Sequence, residues 1–271
     1  MKRFIYLTVL AASVLLSACT PEPRLVILHF NDTHSYLEPV RSGPMKGHGG
    51  AIERAAFVDS VRCAEGEDRV LLLHAGDFDQ GTSYFSELDG DVEISVINAM
   101  RYDCITLGNH EFDNGIEELT RRLANLDSVP VVCANLDLSP FELGKYVKPY
   151  AVIERGGSRI GIIGLAPDIS SCVAKTVSSR IPQLDDVECV NRYTETLRAE
   201  EKCDLVILLT HIGYDEDLAL VPQTHGVDLL VGGHSHTLID EPAVVNDADG
   251  KPVTIVTDWC WGLEAGVMKL Y

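Results

Sequence analysis

Basic residues are scarce in this chain. It has 22 Lys and Arg against 41 Asp and Glu in 271 residues, a formal net charge of −19. That imbalance excludes a general nucleic-acid-binding surface, because a polyanion is repelled by a surface of its own sign. The eight cysteines include no CxxC spacing, which removes the zinc knuckle and the thioredoxin-type redox motif. No apolar run reaches the roughly 20 residues of a comfortable membrane span. Internal repeats and long linkers are also missing. What remains is 46% hydrophobic and 23% charged, a globular composition rather than a disordered or collagen-like one.

The N-terminus has its own character. Lys2 and Arg3 precede an apolar run from Phe4 to Leu16, followed by Ser17-Ala18-Cys19. This reads as an export signal over residues 1–18. Leu16-Ser17-Ala18-Cys19 resembles a bacterial lipobox, with Cys19 as the lipidated first residue of the mature chain. Residues 19–24, with Pro21-Glu22-Pro23, read as the tether. Lipid there would hold a soluble domain at a bacterial cell-envelope membrane, periplasmic or surface-facing, without spanning it. Loss of the signal takes away two basic residues and moves the net charge from −19 to −21. Of the remaining seven cysteines, Cys104 and Cys133 sit in apolar runs and read as small buried hydrophobes. Export leaves a disulfide among Cys172, Cys189 and Cys203 open.

Beyond the tether, apolar runs alternate with helix-like segments. The runs are Leu25–Phe30, Val70–Leu73, Cys104–Leu107, Val129–Ala134, Ile160–Leu165, Leu205–Leu209, Val227–Val231 and Val253–Val256. Their near-continuous Val, Ile and Leu predict strands buried on both faces. Helices are expected over Ala51–Arg62, Val92–Met100, Ile116–Ala124, Val190–Lys202 and Glu216–Val221. Gly156-Gly157, between apolar flanks from Val152 to Arg159, predicts a hairpin and therefore mixed sheets. The fold class is α/β, and residues 25–271 are expected to form one domain.

Five of these runs lead into polar residues of one kind. They are Asn31-Asp32-Thr33-His34, Gly76-Asp77, Gly108-Asn109-His110-Glu111-Phe112-Asp113, Thr210-His211 and Gly232-Gly233-His234-Ser235-His236. Ligands of α/β sheets bind at the carboxyl ends of strands, so five such ends can converge on one spot. His, Asp and Asn all offer lone pairs to divalent metals. Five of the nine histidines fall in these motifs. His29 and His74 read as structural, and His48 and His225 as solvated. Asp113 also has a plainer reading as the N-cap of the helix at Ile116.

Together, and in this order, the motifs resemble those of the calcineurin-like metallophosphoesterases. More narrowly, they resemble the N-terminal catalytic domain of the 5′-nucleotidase family. Gly76-Asp77-x-x-x-Gly81, the hexapeptide at 108–113, Thr210-His211-x-Gly213 and Gly233-His234-x-His236 carry the likeness. Pro130–Leu136 and Ile160–Gly164 extend it. The resemblance implies a four-layer α/β/β/α sandwich. It implies two divalent ions, Zn²⁺ or Mn²⁺ by donor type. Asp32, His34, Asp77 and His236 would hold one, and Asp77, Asn109, His211 and His234 the other. It also implies that His110 supports the phosphoryl oxygens or leaving group while Asp113 orients it. Two ions about 3.5–4 Å apart neutralise a phosphate dianion and acidify a water for in-line attack.

The expected function is hydrolysis of nucleotides or related phosphate esters. The alternatives are a dimetal hydrolase of cyclic phosphodiesters, nucleotide sugars or sulfur oxyanions, and a non-catalytic surface lipoprotein that binds a partner chain. The family's C-terminal specificity domain has no counterpart before Tyr271. Three arrangements are therefore open: a separate chain supplies base recognition, the chain acts alone with loose specificity for phosphate esters, or local loops such as Ser35–His48 contact the substrate. Trp259 and Trp261 read as packing residues.

Overall fold

The computed structural model describes residues 22–271. The predicted signal, lipidation at Cys19 and most of the tether lie outside the described residues. Two six-stranded sheets form the centre. The first contains β1 (Leu25–Phe30), β2 (Val70–His74), β3 (Cys104–Thr106), β4 (Val131–Val132) and β5 (Val147–Lys148), all parallel, with β12 (Gly266–Leu270) antiparallel beside β1. The second runs in the order β10 (Ala243–Asn246), β11 (Pro252–Thr257), β9 (Leu229–Gly232), β8 (Leu205–Thr210), β7 (Ser158–Leu165), β6 (Tyr150–Arg155). Its two outer pairs, β10–β11 and β6–β7, are antiparallel.

Strand alternation explains the layering. On β1, Leu25 and Ile27 face the second sheet and pack in one cluster with Ile160, Ile162, Ile207, Leu209 and Val231. Val26, Leu28 and Phe30 face the other way, into a cluster with Val58, Ile94, Ile97 and Leu119. Those residues come from α1 (Ala51–Glu65), α3 (Asp91–Met100) and α4 (Ile116–Leu123), with α2 (Ser83–Leu88) leading into α3. The outer face of the second sheet packs on Val190 and Leu197 of α7 (Asp186–Ala199) and Leu220 of α8 (Tyr214–Leu220). Two short turns, α5 (Ile169–Cys172) and α6 (Lys175–Ser178), follow β7. Strands covered on both faces need apolar residues at every position, hence the continuous Val, Ile and Leu runs. The sheets approach closely at Gly164, where a Cβ would strike the Val132 carbonyl oxygen.

The expected strand Val129–Ala134 shrinks to two residues. Pro130 has no N–H for the ladder, and Ala134 N–H donates instead to Gly164 O at 2.8 Å, crossing to the other sheet. The helix expected from Val190 starts at Asp186, because Asp185 caps it by accepting the Glu188 N–H at 2.8 Å. It stops at Ala199, short of Lys202, whose φ of +58° is not helical. β10 and β12 were not foreseen: their residues are half exposed and form no apolar run. The hairpin at Gly156-Gly157 is present. All seven cysteines among the described residues are free, so none of Cys172, Cys189 and Cys203 is bridged. Cys104 and Cys133 are buried. No helix among the described residues is long and apolar enough to cross a membrane.

Candidate metal centre

The carboxyl ends of β1, β2 and β3 from one sheet meet those of β8 and β9 from the other. Asp32, His34, Asp77, Asn109 and His211 are all buried there, while His234 and His236 form the half-open rim. Three overlapping groups bring their donor atoms within 4.8 Å of one another: Asp32, His34 and His236; His34, Asp77 and His110; and Asp77, His211 and His234. His34 Nε2 lies 2.9 Å from His236 Nε2, and His236 Nε2 lies 3.3 Å from Asp32 Oδ1. His211 Nε2 is 2.9 Å from Asp77 Oδ2 and 3.7 Å from Asp32 Oδ1. Six of the seven expected ligands thus meet at this end of the sheets, and Asn109 follows Gly108, which abuts Asp77 and His211 there, whereas His29, His74, His48 and His225 do not join it. His29 faces Asp258 at 2.7 Å, and His74 meets Thr33 Oγ1 at 3.0 Å. His48 and His225 are exposed.

The donor set fits divalent ions on three counts. Asp32 Oδ1, Asn109 Oδ1 and His211 Nε2 are buried with no hydrogen-bond partner, a costly arrangement unless another group meets them. Two nitrogens bound to one first-row ion at about 2.1 Å lie about 3.0–3.4 Å apart, close to the His34–His236 spacing. The far ring nitrogens are anchored: His211 Nδ1 lies 2.6 Å from Ala75 O, and His34 Nδ1 lies 3.3 Å from Asp79 O. Such contacts fix the tautomer and turn Nε2 inward.

Backbone geometry supports the same reading. Asp32, His34, Asp77, His234 and His236 have φ of +48°, +47°, +54°, +77° and +50°. Left-handed backbone is rare for residues with a Cβ and costs of order 1–3 kcal/mol each. Here it re-aims each side chain after the strand ends. Glycine keeps the centre open: a Cβ on Gly108 would press on Asp77 and His211, and one on Gly233 would lie 2.8 Å from His211 Nδ1.

The local field is strongly polarised. Burial lowers the pKa of His211, but the Asp77 and Asp32 carboxylates outweigh it and push the ring up to about 10. His236 also rises to about 10, chiefly through the Asp32 carboxylate beside it. Burial raises Asp77, yet His211 and the neighbouring rings hold it well below the ordinary carboxylate range. Burial dominates at His34 and His234, whose pKa values are lowered. This field draws positive charge to the centre, and a divalent ion competes with protons for the same nitrogens.

His110 stands at the edge, 28% exposed, with Nδ1 2.8 Å from Asp113 Oδ2 and its ring 5.3 Å from that of His34. Burial lowers its pKa, but the Asp113 hydrogen bond and the Asp77 charge more than offset this and raise it. Asp113 is not the N-cap of α4. The N-cap of α4 is Gly115, which makes no side-chain cap, and the Asp113 carboxylate turns to His110 instead.

Several supporting residues had no role assigned from the sequence. Asn31 donates to Asp32 Oδ2 at 2.7 Å and to Trp259 O at 2.9 Å, and accepts the Asp258 N–H at 2.8 Å. Its place beside Asp32 was the available signal. Trp261 stacks on Tyr36 with ring centroids 4.8 Å apart, and its backbone N–H donates to Asp32 O at 2.6 Å. Glu111, inside the hexapeptide, and Arg122, on α4, are fully buried beneath the centre.

Comparison with known proteins agrees with this geometry. The probable 5′-nucleotidase of Treponema pallidum is 33% identical over 91% of this chain, which covers 44% of that protein. The 5′-nucleotidase precursor of Thermus thermophilus superposes with a TM-score of 0.81 at 36% identity, over 90% of this chain and 50% of that one. The NAD nucleotidase of Haemophilus influenzae gives 0.80 at 29% identity, over 90% and 46%. The chain therefore spans about half the length of these relatives. The family model for the calcineurin-like phosphoesterase matches residues 25–238, which takes in all five strand ends that carry the candidate ligands. The chain belongs to the calcineurin-like phosphoesterase family, whose members use divalent metal ions.

Proposed function

We propose that this chain is a dimetal phosphohydrolase that releases phosphate from nucleotides or closely related esters. The observation that carries the reading is the meeting of inward-facing, unsatisfied donor atoms from five strand ends. Asp32, His34, Asp77 and His236 would hold one ion, and Asp77, Asn109, His211 and His234 the other. The mixed nitrogen and oxygen donors suit Zn²⁺ or Mn²⁺. When bound, such ions neutralise the phosphate dianion and acidify a water.

The chain's own residues do the rest. Asp113 holds His110 Nδ1, so Nε2 is the nitrogen left to meet substrate. The Asp113 hydrogen bond raises the pKa of His110, which favours the protonated ring that can donate to a phosphoryl oxygen or a leaving group. The His110 backbone N–H donates to Asp77 Oδ1 at 3.0 Å, which ties the acid's main chain to the carboxylate shared by the two proposed ion sites. The buried floor, with Asp32 and His211 fully enclosed, keeps bulk water from competing for the charges. The relatives named above support the nucleotide as substrate class.

The test is metal analysis followed by phosphate release from a panel: nucleoside monophosphates, cyclic phosphodiesters, nucleotide sugars and a sulfur-oxyanion ester, each with Zn²⁺ or Mn²⁺. Two ions per chain and turnover of the monophosphates are expected. Turnover confined to another substrate would replace the nucleotide reading, and inability to take up either ion would end it. We also infer, from the N-terminal pattern, export and lipid attachment through Cys19. Cys19→Ala should then move the protein from the membrane fraction to the soluble one, and unchanged fractionation would refute the anchor.

A further inference from the structure

Glu111 is the residue of the hexapeptide at 108–113 that phosphate hydrolysis leaves without work. Its side chain is fully buried and sits beneath the ligands rather than among them. Four backbone N–H groups converge on its two oxygens. Oε2 accepts from Asp77 at 3.0 Å and from Gly108 at 2.5 Å. Oε1 accepts from Phe78 at 2.9 Å and from Asp79 at 3.2 Å. These amides lie just past the ends of β2 and β3, where the chain has left the sheet and lost its ladder partners. Three successive N–H groups point one way because Gly76 and Asp77 both have positive φ.

The consequences reach three ligands. The Asp77 backbone is held directly. Asn109 follows Gly108, whose N–H is held by the same oxygen as that of Asp77, so the two loops are fixed relative to each other. Asp79 O faces His34 Nδ1 at 3.3 Å, so gripping the Asp79 N–H fixes the anchor of that ring. Arg122 closes the chamber from below: it forms a fully buried ion pair with Asp79 and donates from Nη2 to Glu111 O at 2.9 Å. Only a carboxylate offers two oxygens to four donors. A glutamine would keep one oxygen and turn its NH₂ against two N–H groups.

We infer that Glu111 is a positioning residue of the metal centre, clamping the loops of Asp77, Asn109 and His34 through their backbone without touching an ion or substrate. This rests on the two-ion reading of the site. The test titrates the full chain with Mn²⁺ and records the paramagnetic resonance of the bound ions. Wild type is expected to bind two Mn²⁺ with exchange-coupled spectra. Failure there would overturn the two-ion reading, and this inference with it, before any variant is measured. Glu111→Gln is expected to fold, as judged by near-ultraviolet circular dichroism, but to bind Mn²⁺ about 10- to 100-fold more weakly, the range seen when outer partners of metal ligands are lost. Its turnover should recover at high Mn²⁺. Folded Glu111→Gln with wild-type affinity would overturn the inference. If that variant does not fold, Glu111→Asp, which keeps the charge but is one methylene short, is titrated instead: weakened binding supports the clamp and wild-type affinity refutes it. Val58→Ala, a cavity in the helix-facing core, should lower stability and leave Mn²⁺ affinity alone. An equal loss of affinity there would reduce Glu111 to a general structural residue and refute the positioning role.

Discussion

Replacing Gly108 by alanine adds one methyl group at the centre of the site. Gly108 lacks the positive φ that would make a side chain intrinsically strained, so the change isolates a steric effect. A Cβ there would lie 2.7 Å from both Cδ2 and Nε2 of His211 and would press on Asp77 Oδ1. Ordinary contact begins at 3.4 Å, so the His211 ring must retreat by about 0.7 Å. It cannot swing freely, because its Nδ1 sits 2.6 Å from Ala75 O. Metal–ligand distances tolerate only about ±0.2 Å. Misplacement approaching 1 Å costs about 100-fold in rate, or about 2.7 kcal/mol of transition-state stabilisation. Gly108→Ala should therefore remain folded, lose one or both ions on dialysis, and fall by about 100-fold in kcat/KM for phosphate release. Elemental analysis beside a steady-state assay reads both effects. A folded variant that keeps two ions and stays within threefold of wild-type kcat/KM would refute the argument that the centre has no spare space.

Three further outcomes follow from the same geometry. His110→Ala should keep both ions and lose about 10²–10⁴-fold in kcat, as expected for removal of a general acid; unchanged turnover would make the ring structural only. Arg122→Met should destabilise the fold by about 3–5 kcal/mol, because it leaves the fully buried Asp79 carboxylate without its ion-pair partner, and denaturant unfolding measures this. Asp217 is fully buried, with Oδ1 accepting from Thr210 at 2.7 Å and Oδ2 unpartnered; burial, only partly offset by the Thr210 hydrogen bond, raises its pKa well above the ordinary value. An acid with a raised folded-state pKa contributes full stability below its unfolded pKa and loses it as pH rises through the folded one. Asp217→Asn should therefore gain thermal stability relative to wild type as pH is raised from about 4 to 8, and a pH-independent difference would refute this.

The sequence determined the strands buried on both faces, because burial on two sides favours apolar residues along the whole strand, and β1, β2 and β8 are apolar except at His29, His74 and Thr210. It marked the candidate ligands too, since His, Asp and Asn stand immediately after those runs. The weakly patterned edges β10 and β12 escaped it, because half-exposed strands need no continuous apolar stretch. Asp113 was ambiguous in sequence: a carboxylate before a helix serves as a cap or as a partner to His110 with equal local logic, and only the position of the ring decided it. Glu111 and Arg122 were invisible as a pair. Their meeting with Asp79 joins residues 43 positions apart through a chamber that no local spacing encodes. Chemistry at the strand ends is local and can be read along the chain. The clamps that aim it depend on which backbone amides lose their ladder partners when two sheets are packed face to face, and that is settled only in three dimensions.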